Sequence, residues 1–382
     1  MSNDTDRITD CPHRAECDAC SLLLNPYGKQ LRLKQRVLTD ALKVVRQIDR
    51  RVILPTVPSP SIDGYRNRVK MAISTSRDGR SSLGYFQRRS RNVVDTPHCG
   101  VLVPELLETT GHFRRLLNSR TNIPYSLRHI DLRCGTDPRL QHLTLVVKGD
   151  SVPRLPIEAV MHACPHVGGL GVNLSPRSSS QVIKGRIEPV AGFREVFVDC
   201  AGLSLRISPG SFFQVNLGLL PEIHRLMSGF LGDGEVLLDL YAGVGTHGLA
   251  LRQQFRRVVC VEGVRASVAD AKATIKAGQV ENVEVMAMPV KRAIPRLRIE
   301  AVEAVVLNPS RSGAERAVLE AILDSPARSL AYLSCNPETL ARDLSVLAGG
   351  GFDPVSVQAI DMMPQTRQVE ALALLRRDRQ RQ

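Results

Sequence analysis

From Gly234 onward the chain repeats one pattern: the apolar runs EVLLDL, RVVCVE, VEVMAM, EAVVLN and SLAYLS are separated by helical stretches of ten or more residues. Runs of this kind are buried on both faces, and a helix between each pair returns the chain to begin the next strand in the same direction. An open, parallel, doubly wound sheet satisfies both demands. The last two runs, SVQAIDMM and VEALALL, have only a short loop between them. They are therefore expected to close the sheet as an antiparallel pair.

In such sheets ligands bind outside the carboxyl ends of the strands, so the residues that follow each run are the first candidates for chemistry. The first run ends in LDLYAGVGTHGLAL, where Gly243, Gly245 and Gly248 satisfy G-x-G-x-x-G, and the second ends in Glu262, twenty residues beyond Ala242. A dinucleotide fits both features. Asp239, inside the strand end, favours S-adenosylmethionine instead, because a carboxylate repels a pyrophosphate but can face a methionine ammonium. The antiparallel ending is likewise the pattern of a class I methyltransferase rather than of a dehydrogenase.

Three further loops meet at the same rim. The fourth run is followed by NPSRSG, beginning at Asn308; the fifth by Cys335, in LSCNPETLAR; and the final strand opens at Glu370. A cysteine at a strand end is by itself more often a small core residue. A thiol, a carboxylate and a methyl donor together suggest one reaction. The C5 carbon of uracil is too weakly nucleophilic to attack a sulfonium methyl unaided. Addition of Cys335 to C6 would create an enolate at C5, and after methyl transfer Glu370 would remove the C5 proton so that the cysteine can leave.

The amino-terminal part has a different texture. Cys11, Cys17 and Cys20 form a C-x5-C-x2-C group from which one short loop could wrap zinc or an iron–sulfur centre. A helical run over 30–50 places Leu31, Leu38, Leu42 and Val45 among Arg32, Lys34, Arg36, Lys43, Arg46 and Arg50. Short β-branched runs broken by Pro, Gly and Ser then read as a mainly β region. Three divisions follow: a cysteine segment with its basic helix over 1–51, a β region over 52–210, and a catalytic domain over 211–382.

Lys and Arg number 51 against 38 Asp and Glu, a formal charge of +13, which favours an anionic partner, with nucleic acid first. GYRNRVK, the RRSR run from Arg88 to Arg91, and the carboxyl-terminal RRDRQRQ are candidate phosphate contacts. The absence of a long apolar run or a basic-apolar leader points to a cytosolic protein without a membrane span. Nine cysteines, an odd number, exclude a complete disulfide framework. Cys134, Cys164, Cys200 and Cys260 lie in or beside apolar runs and read as core.

The stretches FFQVN (starting at Phe212), LDLYAGVGTHGL, PSRSG, LSCNPETLARDL and QTRQVEALALL, with GYRNRVKMAI, LGYFQRRS and VVDTPHCGVLVP further upstream, resemble the bacterial RNA uracil-C5 methyltransferases acting on tRNA and large-subunit rRNA. The resemblance covers nearly the whole chain. It implies a class I S-adenosylmethionine-dependent methyltransferase domain of Rossmann-like α/β fold, an iron–sulfur segment and a β region that binds RNA. It also implies Cys335 as nucleophile and Glu370 as proton acceptor, with the methyl donor held by Gln214, Tyr241, Thr246 and Glu262, and with Asn308 beside them. A [4Fe-4S] cluster on Cys11, Cys17, Cys20 and Cys99 follows from the same resemblance. The compact layout is similar to the members that methylate a hairpin loop of 23S rRNA, with tRNA as the alternative target and a monomer as the expected state.

Two departures stand out. Asn308 occupies the position where the family usually has aspartate; its amide can still accept from uracil N3–H and donate to O4. Thr246 replaces a residue that is often Asn or Gly. Two other classes compete with this reading. An RNA cytosine-C5 methyltransferase would be expected to carry a second cysteine in the fourth-strand loop, where Ser310 stands, and a non-catalytic RNA-binding protein would not need to keep both Cys335 and Glu370. Because base-C5 chemistry needs an unstacked nucleotide, Phe212, Phe213 and Tyr85 are candidate stacking residues.

Overall fold

The computed structural model describes residues 6–88, 90–119, 123–149, 151–176, 182–183, 185–297 and 301–377. Arg89 of the RRSR run and residues 378–382 of the basic carboxyl terminus lie outside these. Helix α1 (Tyr27–Leu42) follows the cysteine segment, and the chain then forms β1 (Ile53–Val57). Both elements join the carboxyl-terminal body, contrary to the division at 51/52. Leu38 and Leu42, one helical turn apart, are buried in its core, and β1 pairs in parallel with a strand near the carboxyl end, covering what would be a bare sheet edge.

A seven-stranded amino-terminal sheet comes next. It contains β2 (Arg68–Thr75), β3 (Ser81–Phe86), β4 (Val93–Asp95), β5 (Leu127–Cys134), β6 (Gln141–Lys148), β7 (Val167–Ser175) and β8 (Ile187–Gly192), in the order β4-β3-β2-β5-β6-β7-β8. Every pairing is antiparallel except β6 with β7, between which a helix runs. Helices α2 (Pro104–Leu117) and α3 (Ile157–Ala163) cover one face, burying Leu106, Phe113 and Val160 against Ile130, Leu132 and Leu143.

The hairpin of β9 (Val196–Cys200) and β10 (Leu203–Ile207) turns at Ala201 and Gly202, both with positive φ, 49° and 76°, which suits the right-handed twist of a two-residue loop. Its inward residues Val196, Val198, Leu203, Leu205 and Ile207 pack with Ile223, Met227 and Leu237 of the carboxyl-terminal body. That body therefore starts before residue 211, and the hairpin supplies part of its core.

The remaining elements are α4 (Leu220–Leu231), β11 (Gly234–Leu240), α5 (Thr246–Leu251), β12 (Phe255–Glu262), α6 (Arg265–Ala277), β13 (Val283–Ala287), α7 (Val290–Ala293), β14 (Ala304–Leu307), α8 (Arg316–Asp324), β15 (Ser329–Ser334), α9 (Pro337–Gly349), β16 (Asp353–Ile360) and β17 (Glu370–Arg376). The sheet order is β1-β16-β17-β15-β14-β11-β12-β13. Strands β13, β12, β11, β14 and β15 run parallel, and β17 inserts antiparallel between β15 and β16. The sequence-expected antiparallel pair is β16 and β17. No helix among the described residues is long and apolar enough to cross a membrane.

Candidate active site

Strands β11, β12, β14 and β15 end on one edge, and the residues that follow them surround a cavity of about 540 Å³. Its wall includes Gln214, Tyr241, Thr246, Glu262, Asn308, Cys335 and Glu370. Every residue assigned from the sequence to catalysis or to the methyl donor thus faces a single space, of a size typical for small-molecule sites.

Local backbone geometry sets each position. After β11 the chain turns sharply, with Tyr241 at φ 61°, Gly243 at 59° and Gly245 at 82°, before α5 begins at Thr246. The tyrosine is the costly member of this turn, since side chains other than glycine rarely adopt that region. At Gly248 a Cβ would stand 2.6 Å from the Cys260 sulfur, so helix and strand approach as closely as they do only with glycine there. Glu262 clasps the turn from β12: its carboxylate accepts from the amides of Gly243 at 2.8 Å and Val264 at 2.6 Å.

Asp239 behaves differently from the sequence expectation. It is fully buried beneath the turn and accepts from the Gly248 amide at 2.8 Å, so it braces the start of α5 instead of meeting a ligand ammonium. Burial pushes its carboxyl up to about 7, against the Gly248 hydrogen bond that favours the anion.

Gln214 is held by a strap between the two bodies. The Asn67 amide donates to the Gln214 carbonyl at 3.3 Å and the Asn67 N–H to the Val215 carbonyl at 3.1 Å, so the GYRN and FFQVN motifs lie side by side. Asn216 continues the strap by donating to Ser59 at 2.9 Å. Phe212, next along, is 64% exposed on the cavity wall, whereas Phe213 is buried and Tyr85 lies against Cys99. Of the three aromatics, only Phe212 offers a free ring at the cavity.

Cys335 sits between the end of β15 and α9, which Asn336 caps by accepting from the Glu338 amide at 3.1 Å. Burial raises the Cys335 thiol, the Glu370 carboxylate raises it further, and the Arg311 guanidinium opposes both. Glu370, the first residue of β17, is pushed up to about 8 by burial, again opposed by Arg311. Arg311 also donates to Gln368 at 3.0 Å, while its carbonyl accepts from Asn336 at 3.1 Å. Sequence reasoning named the loop of Arg311 but gave this residue no role. A cation placed after the fourth strand, beside a thiol after the fifth, was the available signal.

The loop that leads to Glu370 is anchored by the amino-terminal segment. Lys34 of α1 is buried and paired with Asp361, and it donates to the Met363 carbonyl at 2.9 Å. Gln365, at φ 69°, exchanges hydrogen bonds with Gln30 at 2.8 and 2.9 Å and donates to Thr9 at 2.7 Å. The Leu22 amide donates to the Gln365 carbonyl at 2.8 Å, and the Arg367 amide to Ser21 at 3.1 Å. Lys34, read from the sequence as one cation of a basic helix, is thus unavailable to RNA.

Two cations of the motif GYRNRVK are committed internally as well, while Lys70 is exposed. Arg68 forms a two-pronged pair with Asp131, with Nε donating at 2.9 Å, and Arg66 lines the cysteine cavity. Arg88 and Arg91 remain exposed.

Cys11, Cys17, Cys20 and Cys99 line a separate, small cavity of about 50 Å³ together with His13, Tyr65 and Tyr85. Burial pushes the Cys20 thiol up to about 12 and neighbouring Cys99, Cys17 and Cys11 raise it further, so the four sulfurs sense one another. Among the described residues no three His, Cys, Asp or Glu side chains meet at a point that could hold a single metal ion.

Five parallel strands, an antiparallel insertion beside them and a glycine turn facing an acidic strand end define a class I S-adenosylmethionine-dependent methyltransferase. Residues 167–378 match the tRNA (uracil-5-)-methyltransferase family, and the chain belongs to it. An uncharacterized RNA methyltransferase of Thermosynechococcus vestitus is 31% identical over 96% of this chain and 83% of its own length. Another, of Halalkalibacterium halodurans, is 29% identical over 97% of this chain and 84% of its own. Among solved structures, the Pyrococcus abyssi tRNA (uracil-54, C5)-methyltransferase in complex with S-adenosyl-L-homocysteine superposes with a TM-score of 0.74 at 26% identity, covering 93% of this chain and 85% of that one.

Proposed function

We propose that this protein methylates C5 of a uracil in structured RNA through a covalent bond between Cys335 and C6, with Glu370 removing the C5 proton. The observation that carries the reading is that Cys335, Glu370 and Asn308 share a single cavity with Gln214, Tyr241, Thr246 and Glu262. S-adenosylmethionine, when bound, supplies an electrophilic methyl group. Glu262 and the glycine turn would hold its ribose and backbone, with Gln214, Tyr241 and Thr246 around the rest.

On the substrate side the Cys335 sulfur forms a bond to C6, and the ring's C5–C6 π electrons move to C5 and O4. Arg311, beside the thiol, favours the thiolate that this step needs. Transfer of the methyl group to C5, with the S–CH3 bond breaking and its electrons staying on the donor sulfur as a neutral thioether, would leave a tetrahedral C5 bearing hydrogen and methyl. Glu370 takes that proton, the C5–C6 double bond re-forms, and the C6–S bond breaks with its electrons returning to sulfur. A buried carboxyl with a raised pKa is a strong base once ionised. Asn308 reads the base edge, and Phe212 is the stacking surface for the unstacked strand.

We assign a [4Fe-4S] cluster to Cys11, Cys17, Cys20 and Cys99 on the resemblance; that the four thiols line one cavity supports the assignment. Its contribution is to the order of the amino-terminal segment that anchors the Glu370 loop.

Large-subunit 23S rRNA is the target that the family resemblance puts first, and the enzyme would act in the cytosol. The Pyrococcus neighbour favours a second reading, tRNA. The deciding experiment is incubation of the purified protein with labelled S-adenosylmethionine and unmodified transcripts of both, followed by mass spectrometry of nucleosides. Formation of 5-methyluridine in one transcript, lost in Cys335→Ala, is expected. Binding of RNA and methyl donor without methylation would instead favour a non-catalytic RNA-binding role.

A further inference from the structure

Behind Asn308 lies a row of polar groups that the reaction above does not use. The Asn308 side-chain amide nitrogen is 3.3 Å from Nε2 of His247, His247 Nδ1 is 3.2 Å from Nε2 of His224, and His224 Nδ1 is 3.8 Å from the Cys200 sulfur. The two rings meet edge to face, 5.3 Å between centroids and 76° between planes. His247 is 1% exposed. Burial pushes His247 down to about 3 and His224 to about 4, so both rings stay neutral at physiological pH.

A neutral imidazole has one N–H and one lone pair, so hydrogen bonds along such a row must all point the same way. With the Asn308 amide donating, His247 accepts at Nε2 and carries its proton on Nδ1, and His224 accepts at Nε2 in turn. The Asn308 NH₂ is then turned inward, leaving Oδ1 as the atom available to the cavity. In the opposite direction the amide would be flipped and its NH₂ would face the cavity. The first state presents an acceptor and suits a base with a proton on N3, as in uracil. The second presents a donor and suits cytosine, whose N3 is a lone pair.

We propose that His247, backed by His224, is a specificity-positioning residue that holds the Asn308 amide with its oxygen toward the substrate, so that an amide performs the uracil-selecting role of a carboxylate. The inference rests on the reading that Asn308 faces the target base. It accounts for how a residue able to recognise either pyrimidine is restricted to one.

The test combines a structural and a kinetic readout. Long-range proton–nitrogen NMR of histidine-labelled protein should find His247 and His224 neutral, with the proton on Nδ1 in both. His247→Phe, which leaves the amide free to rotate, should lower kcat/KM for a uracil transcript at least about tenfold and raise relative activity on a transcript with cytosine at the target. His247→Gln, whose carbonyl can accept from Asn308, should restore most of the loss. In an Asn308→Asp background, where both oxygens accept, His247→Phe should cost much less. A proton on Nε2 of His247, or equal losses from His247→Phe in both backgrounds, would overturn the proposal. Should the wild-type enzyme methylate no transcript while the Nδ1 proton is found, the orientation of Asn308 stands and the uracil-methylation reading is what fails.

Discussion

The Lys34 ammonium is buried on the Asp361 carboxylate, 327 residues away along the chain. Burial works to lower the lysine's pKa and the carboxylate works against it. Removing one member of such a pair strands the other charge, so Lys34→Ala should cost roughly 3–5 kcal/mol. A Lys34→Met, Asp361→Leu double variant should recover most of that. Urea unfolding of wild type and both variants measures this, and equal costs for the single and double variants would show that packing, not charge, is at stake.

Cys335→Ala should abolish methylation and the covalent complex with RNA containing 5-fluorouracil, while dissociation constants for RNA and S-adenosylmethionine stay within about threefold. Glu370→Gln should still form the adduct but release it slowly, because the C5 proton has no acceptor. Denaturing gels of labelled RNA distinguish the two; adduct formation by the Cys335→Ala variant would exclude the thiol assignment.

Glu370 makes two pH predictions. As a base it acts ionised, so with its carboxyl near 8 and the Cys335 thiol raised as well, the rate of methylation should climb from pH 7 to pH 9. For stability, the folded state holds the Glu370 proton more tightly than the unfolded chain. Its contribution is therefore full below about pH 4.5 and is lost as pH rises through about 8. Glu370→Gln should melt higher than wild type at pH 8.5, by about 2 °C or more, with the gap shrinking toward pH 5. Thermal melts across that range check the sign.

Protein purified without oxygen should carry about four irons and four sulfides per chain. Cys20→Ser or Cys99→Ser should lose them and also lower kcat, since residues 9–22 anchor the loop that leads to Glu370. Zinc in place of iron, with one atom per chain, would replace the cluster by a tetrathiolate site.

The excess of positive charge makes RNA affinity salt-dependent. Arg88→Ala and Arg91→Ala, both at exposed positions, should weaken binding and reduce the slope of log K against log salt by roughly 1 each. Arg68→Ala should instead lower stability, because its guanidinium is committed to buried Asp131. Titrations at several salt concentrations, alongside melts, separate the two effects.

The parts of the site that the sequence made legible are those where a chemical group coincides with a sharp boundary. Cys335 follows β15, Glu370 opens β17 and Glu262 closes β12, so an apolar run gave each its position. What escaped depends on partners remote in sequence. Lys34 looks like any exposed helical cation until Asp361 is placed beside it, and Asp239 looks like a ligand until the Gly248 amide is found within reach of it. Strand β1, only ILPTV with a proline inside, carries no periodic signal and is a strand because β16 offers it an edge. The β9–β10 hairpin was placed with the β region since its alternation is that of any half-buried hairpin; which body covers its apolar face is decided by α4 and α6.

The antiparallel insertion has a consequence for synthesis. Strand β17, the last strand to be made, fills the place between β15 and β16, and the loop before it is clasped by residues near positions 9–34. A ribosome-bound chain lacking residues 361–376 already has the thiol and the glycine turn yet no base and no clasp. The cavity therefore gains its proton acceptor only once that stretch has left the exit tunnel and joined the sheet, so the order of synthesis sets when the site is complete.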